Sequence, residues 1–177
     1  MKWLNHLFGG PKDMAALTAG TKAPDFSLTA LDGSTFSLQE ALGRGPAVAA
    51  FFKVSCPICQ YAFPYFERLH KAYGEKATII GISQDNQRDT VAFLKEYGVT
   101  FRTLLDDPTG YVASNAYGLT NVPSLFLIGQ DGQIEVSSVG WVKTEFEEVS
   151  RKLAAAQQSS PPVLFKPGEE VRDFRAG

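Results

Sequence analysis

Residues 47–59 read Ala-Val-Ala-Ala-Phe-Phe-Lys-Val-Ser-Cys-Pro-Ile-Cys, and the reading of the whole chain turns on them. Six apolar residues in a row, bounded upstream by Gly43 and Gly45, describe a strand covered on both faces of a sheet. Directly after it, Ile58, Tyr61, Ala62, Tyr65, Phe66 and Leu69 recur every three or four positions, so a helix runs from Pro57 to Tyr73. Proline is well placed at a first helical position, where its missing N–H would have no partner, whereas Pro64 inside the helix is expected to bend it. Cys56 and Cys59 therefore sit at the junction of a buried strand and a helix N-terminus.

Strand and helix signals alternate onward from this junction: a strand over 77–83, a helix over 88–97, a strand over 101–105 and a helix over 110–117. Asp106 and Asp107 are read as opening that last helix at Pro108. Val122-Pro123 then precedes strands at 124–128 and 133–139, joined by the turn Gly129-Gln-Asp-Gly132, and a final helix covers 143–157. Upstream, residues 26–31 and 34–38 flank Asp32-Gly33, a hairpin turn signal. The alternation implies a largely parallel sheet clad in helices. Trp141 and the aromatic residues Phe51, Phe63, Phe66 and Phe93 are read as packing groups.

The domain is assigned to residues 20–157. Residues 1–19 form an N-terminal segment in which Trp3, Leu4, Leu7 and Phe8 share one face of a short amphipathic helix. Residues 158–177, opened by Ser159-Ser160-Pro161-Pro162, are expected to lie extended over the surface or to be mobile. Seventeen basic residues against nineteen acidic ones give a net charge of -2, too weak a field to gather nucleic acid. No apolar stretch approaches the roughly 20 residues that a membrane span needs. Asn5 and His6 interrupt what would be a signal-peptide core, so the expected location is the cytoplasm. The chain is expected to be a monomer.

Two cysteines, both within one tetrapeptide, cannot staple a fold; their task is chemical or metal-binding. Two intervening residues on an opening helical turn let the sulfurs approach disulfide geometry while the first stays exposed. Cys56 is then the attacking thiol and Cys59 the resolving one. Attack requires thiolate, and a helix N-terminus commonly contributes about 0.3–1 kcal/mol toward it. Lys53, three residues before Cys56, is a candidate cation to modulate the thiol, against the plainer reading of a solvated strand-end lysine.

These features together resemble the thioredoxin superfamily, in the redoxin branch that holds TlpA/ResA-like thiol-disulfide oxidoreductases and the related AhpC/TSA peroxiredoxins. The likeness runs from Gly20-Thr-Lys-Ala-Pro-Asp-Phe26 through Cys56-Pro-Ile-Cys59, Pro64, Asp107-Pro-Thr-Gly110, Val122-Pro123 and Asp131-Gly132 to Gly140. It implies a thioredoxin-like α/β fold with an added N-terminal hairpin and an internal αβ insertion. It also implies that Pro123 is a cis-proline facing the sulfurs, and that Pro57, Ile58, Val122 and Pro123 form the partner-facing rim. The expected partners are a disulfide- or dithiol-bearing protein and a separate electron donor, with no cofactor and no metal. A reducing location favours reductase work.

The sequence departs from that pattern where Phe52, Ser55 and Phe63 replace residues common near the motif in TlpA/ResA-like proteins, and where Ala50 replaces thioredoxin's buried aspartate. Cys59 therefore lacks the proton acceptor that the resemblance would place at position 50. Two rival readings stand beside exchange. A peroxiredoxin resembling its family would carry Thr where Lys53 stands, with Arg102 the nominal distant arginine. A metal- or haem-assembly protein would draw on His6 or His70; Sco-like copper proteins space their cysteines by three residues, and a four-cysteine zinc site would need two chains.

Overall fold

The computed structural model describes residues 15–177. The helix expected near the N-terminus is carried by Trp3, Leu4, Leu7 and Phe8, which lie outside the described residues. Seven strands form one mixed sheet in the order β2-β1-β5-β4-β3-β6-β7. They are β1 (Ser27–Ala30), β2 (Thr35–Ser37), β3 (Ala47–Phe52), β4 (Thr78–Ser83), β5 (Arg102–Leu105), β6 (Ser124–Ile128) and β7 (Ile134–Val139). β3, β4 and β5 run parallel, β6 and β7 pair antiparallel on one side, and the β1–β2 hairpin pairs antiparallel with β5 on the other.

β3 lies between β4 and β6 and is buried along its full length, as the unbroken apolar run requires. Its side chains alternate between two cores. Val48, Ala50 and Phe52 meet α2 (Pro57–Tyr73) and α5 (Lys143–Ala156); α3 (Gln87–Glu96) closes the same core with Phe93 and Leu94. Ala47, Ala49 and Phe51 face Tyr117, Phe126 and the short helix α1 (Leu38–Leu42). Phe63 of α2 is fully buried and packs its ring 4.3 Å from that of Phe52, which fixes the helix against the strand that delivers the cysteines.

Four features differ from the sequence expectation, the first being that only the β3–β4 and β4–β5 pairings are parallel, so the sheet is mixed where the alternation implied a largely parallel one. The hairpin's second strand ends at Ser37, which caps α1: its hydroxyl accepts the Glu40 N–H while the Glu40 carboxylate accepts the Ser37 N–H. The helix expected from Gly110, opened at Pro108, starts later: α4 spans Val112–Ala116, and residues 107–110 form a turn held by Thr109 N–H on Asp107 and Gly110 N–H on the Asp107 carbonyl. Buried Asp106 serves α4 from a distance, accepting from the N–H groups of Ala113 and Ser114 and from the Ser114 hydroxyl. The tail beyond α5 is extended, as expected, and is also ordered: β8 (Trp141–Val142) pairs antiparallel with β9 (Phe174–Arg175) in a second, two-stranded sheet.

Candidate active site

Parallel strands aligned side by side deliver their succeeding residues to one edge of the sheet. Residues 53–56 arrive there from β3, Gln84 and Asp85 from β4, and Asp106 from β5. Cys56 is the N-cap of α2, its backbone extended at φ -82° and ψ 115°, and its sulfur accepts the Cys59 N–H at 3.3 Å. A sulfur in a position usually held by Ser, Thr or Asp meets a free backbone N–H and the positive end of a 17-residue helix, an arrangement suited to carrying negative charge.

The two sulfurs differ sharply in access. Cys56 is half-buried and reaches solvent, whereas Cys59 is 0% exposed, packed in the core with Phe52, Ala62 and Phe63. Burial pushes the Cys59 thiol well above its ordinary range, with hydrogen bonding to Cys56 and the charges of Cys56 and Asp85 acting in the same sense. Cys59 is thus held as a thiol behind an accessible partner.

Opposite Cys56 lies the loop before β6. The Val122-Pro123 bond is cis, and the Cys56 thiol donates to the Val122 carbonyl at 3.3 Å. Val122 is half-buried and Pro123 buried, while Pro57 is exposed and Ile58 half-buried on the helix side. The structure thus brings the cysteines, Pro57, Ile58, Val122 and Pro123 to one place, with Val122 contributing backbone rather than side chain. Lys53 contributes through its main chain too: its carbonyl accepts the Cys56 N–H at 3.2 Å, and its backbone opposes, in small part, the upward push of burial on the Cys59 thiol. The Lys53 side chain lines a depression of about 290 Å³ beside the site, together with Gln84, Ser114, Asn115, Asn121 and Val122.

Asp85 is the site residue that sequence reasoning missed. Its carboxylate accepts the Val54 N–H at 2.8 Å, spanning 31 positions of sequence to fix the loop that carries Cys56. The available signal was its place as the first acidic residue after β4, next to β3 in the sheet.

Arg102 opens β5 at the amino end of the parallel strands, opposite the cysteine edge, and its guanidinium covers the Phe36 ring at 4.5 Å. It cannot serve a peroxide at Cys56, and the position expected to hold a threonine holds Lys53. His70 lies three turns along α2 from Cys59, beside the Phe101 ring, and His6 is outside the described residues. Among the described residues no three His, Cys, Asp or Glu side chains gather as a metal site, and no helix is long and apolar enough to cross a membrane.

Residues 19–137 match the AhpC/TSA family. The chain belongs to that family. Within it, the chain is 30% identical over 142 residues to the thioredoxin-like protein YneN of Bacillus subtilis, covering 77% of this chain and 81% of that one. To the thiol-disulfide oxidoreductase ResA of Halalkalibacterium halodurans it is 31% identical over 139 residues, 77% of each. The thioredoxin domain of a thiol-disulfide oxidoreductase from Bacteroides vulgatus superposes with a TM-score of 0.69 at 21% identity, over 77% of this chain and 98% of that one, a likeness of fold. The thioredoxin-like α/β fold that the family resemblance implied is therefore the fold of this protein.

Proposed function

We propose that this protein is a thiol-disulfide oxidoreductase that exchanges the Cys56-Cys59 dithiol with disulfides of partner proteins, working as a reductase in a reducing, cytoplasmic setting. The observation that carries the reading is the asymmetry of the two sulfurs: one at a helix N-terminus open to a partner, the other buried behind it. The relatives named as thiol-disulfide oxidoreductases support it, and the placing of Arg102 removes the support for the peroxidase alternative.

The Cys56 thiolate attacks one sulfur of the partner's disulfide; that S–S bond breaks, its other sulfur leaves as a thiolate, and a mixed disulfide forms. Cys59 then gives up its proton and attacks the Cys56 sulfur, releasing the second partner thiolate and closing Cys56-Cys59. Two electrons pass to the partner, whose thiolates take up protons. An external dithiol donor reverses the last state.

The test is a pair of serine variants assayed on a disulfide-bonded protein. Cys56→Ser should abolish reduction, and Cys59→Ser should stall as a covalent adduct of protein and substrate visible by mass spectrometry. Full activity in Cys56→Ser, or hydroperoxide turnover surviving in Cys59→Ser with no adduct, would sink the proposal. The reduction potential tests direction: near about -270 mV it supports a reductase, and near about -120 mV an oxidant.

A further inference from the structure

The matched family residues stop at 137, yet the chain beyond α5 returns to the cysteine edge. Its path has two parts. The first is anchored: Phe165 packs against Tyr65 and Phe146, and Arg68 of α2 grips Glu169 through two hydrogen bonds of 2.7 and 2.8 Å while also donating to the Leu164 carbonyl. The second part, residues 172–177, runs along the site itself. The Trp141 indole N–H donates to the Arg172 carbonyl, the Arg172 N–H donates to the Tyr61 hydroxyl, and the Lys143 N–H donates to the Asp173 carbonyl. Beyond β9 the Asn121 side-chain amide donates to the Gly177 carbonyl at 3.0 Å.

The spacing there is close enough to exclude anything larger than backbone. Gly140 has φ 78°, and a Cβ on it would fall 2.5 Å from the Arg175 carbonyl; a Cβ on Gly177 would fall 2.7 Å from the Val122 carbonyl. That carbonyl is the one to which the Cys56 thiol donates. Residues 175–177 therefore lie in the groove between Val122 and Gly140, immediately beside the reactive sulfur. A partner disulfide bonded to Cys56 must bring its own flanking backbone along the same groove.

The occupant is held by hydrogen bonds more than by apolar burial. β9 is two residues long, and its Phe174 leaves 61% of its surface in solvent, so little apolar area is buried by docking. The Arg68 grip on Glu169 lies just upstream of Arg172, so a released end stays close to its groove.

We infer that residues 172–177 are an internal occupant of the groove in which an extended, disulfide-bearing segment of a partner protein docks, so that the partner must displace them before it engages Cys56. This rests on the exchange reading above. If the strap is docked nine-tenths of the time, apparent partner affinity falls about tenfold, and a strapless chain recovers it.

The experiment compares the full chain with one ending at Val171, using a disulfide-bonded protein and, separately, a small disulfide such as 2,2′-dithiodipyridine that needs no groove. Loss of the strap should raise kcat/KM for the protein by about three- to tenfold, mainly through KM, with less than about a twofold change for the small disulfide. Arg175→Ala, which removes the guanidinium from the Tyr61 ring, should move both readings the same way by a smaller factor. An unchanged or lowered rate on the protein, or an equal rise on both substrates, overturns the inference. A full chain inert toward both disulfides overturns the exchange reading beneath it. If the shortened chain does not fold, amide exchange of the full-length Cys59→Ser adduct decides: residues 174–177 should lose protection in the adduct, and retained protection refutes displacement.

Discussion

Cys59 needs a base because burial holds its proton, and the position that gives thioredoxin its buried aspartate is Ala50 here. Asp85 is the carboxylate whose charge bears on Cys59, and its Val54 contact keeps it in place. Asp85→Asn preserves shape and an acceptor for the Val54 N–H while removing the charge. Two opposed effects result: the Cys59 thiol loses a like-charge neighbour and ionises somewhat more easily, yet the carboxylate whose charge reaches it is no longer there to take its proton. Proton transfer by a positioned group is worth about 100-fold or more, whereas an indirect charge effect is far smaller, so the loss should win. Single-turnover assays should show an unchanged first attack by Cys56 and a release of the second partner thiol slowed by about tenfold or more. Unaltered release would leave Asp85 as a loop support only. The cysteines were legible because their spacing is itself the chemistry; Val122-Pro123 was legible only through family resemblance. Asp85 was not, since it lies far along the chain from Cys59 and only the parallel pairing of β3 and β4 brings their ends together.

Elements were read best where burial dictates sequence. β3 is apolar throughout because both its faces are covered, and α2 shows its helical period because one face meets Phe52 and Phe93. Short elements escaped for the opposite reason. α1 has five residues and rests on the Ser37-Glu40 capping box, a signal present in the sequence but embedded in an apparent strand. α4 begins at Val112 because its cap comes from Asp106, six positions upstream, with Tyr111 turned into the left-handed region between them at φ 46°. No local pattern encodes a cap at that distance. Asp106→Ala would leave the Ala113 and Ser114 N–H groups and the Ser114 hydroxyl without their acceptor inside the protein, at a cost of about 3 kcal/mol. For a chain of this size, thermal unfolding should drop by about 6–12 °C, and Asp106→Asn, which can still accept, should lose less. A variant melting with the parent would remove Asp106 from the role of distant cap.

At the scale of the molecule, the strap joins two chemistries that the sequence kept apart, a polar tail and a redox centre, and its anchor responds to pH. The Arg68 guanidinium, aided by the Lys166 N–H, lowers the Glu169 carboxyl from 4.5 to about 2. A carboxyl depressed on docking strengthens the docked state while it is ionised: the contribution is complete above about pH 4.5 and drains away as pH falls toward about 2. Both partners keep a fifth to a quarter of their side chains in solvent, so water screens the pair and about 1 kcal/mol is at stake. That is enough to shift the docked fraction without unfolding the domain, whose core contains neither group. Amide exchange of residues 164–171 should therefore speed up by about fivefold, after correction for intrinsic rates, between pH 5 and pH 2.5, while β3 and β4 stay protected. Arg68→Gln removes the cause of the shift, so it should make those tail amides exchange fast at both pH values and flatten the response. A tail equally protected at both pH values in the parent protein would mean that Phe165 and the aromatic residues around it hold the anchor alone.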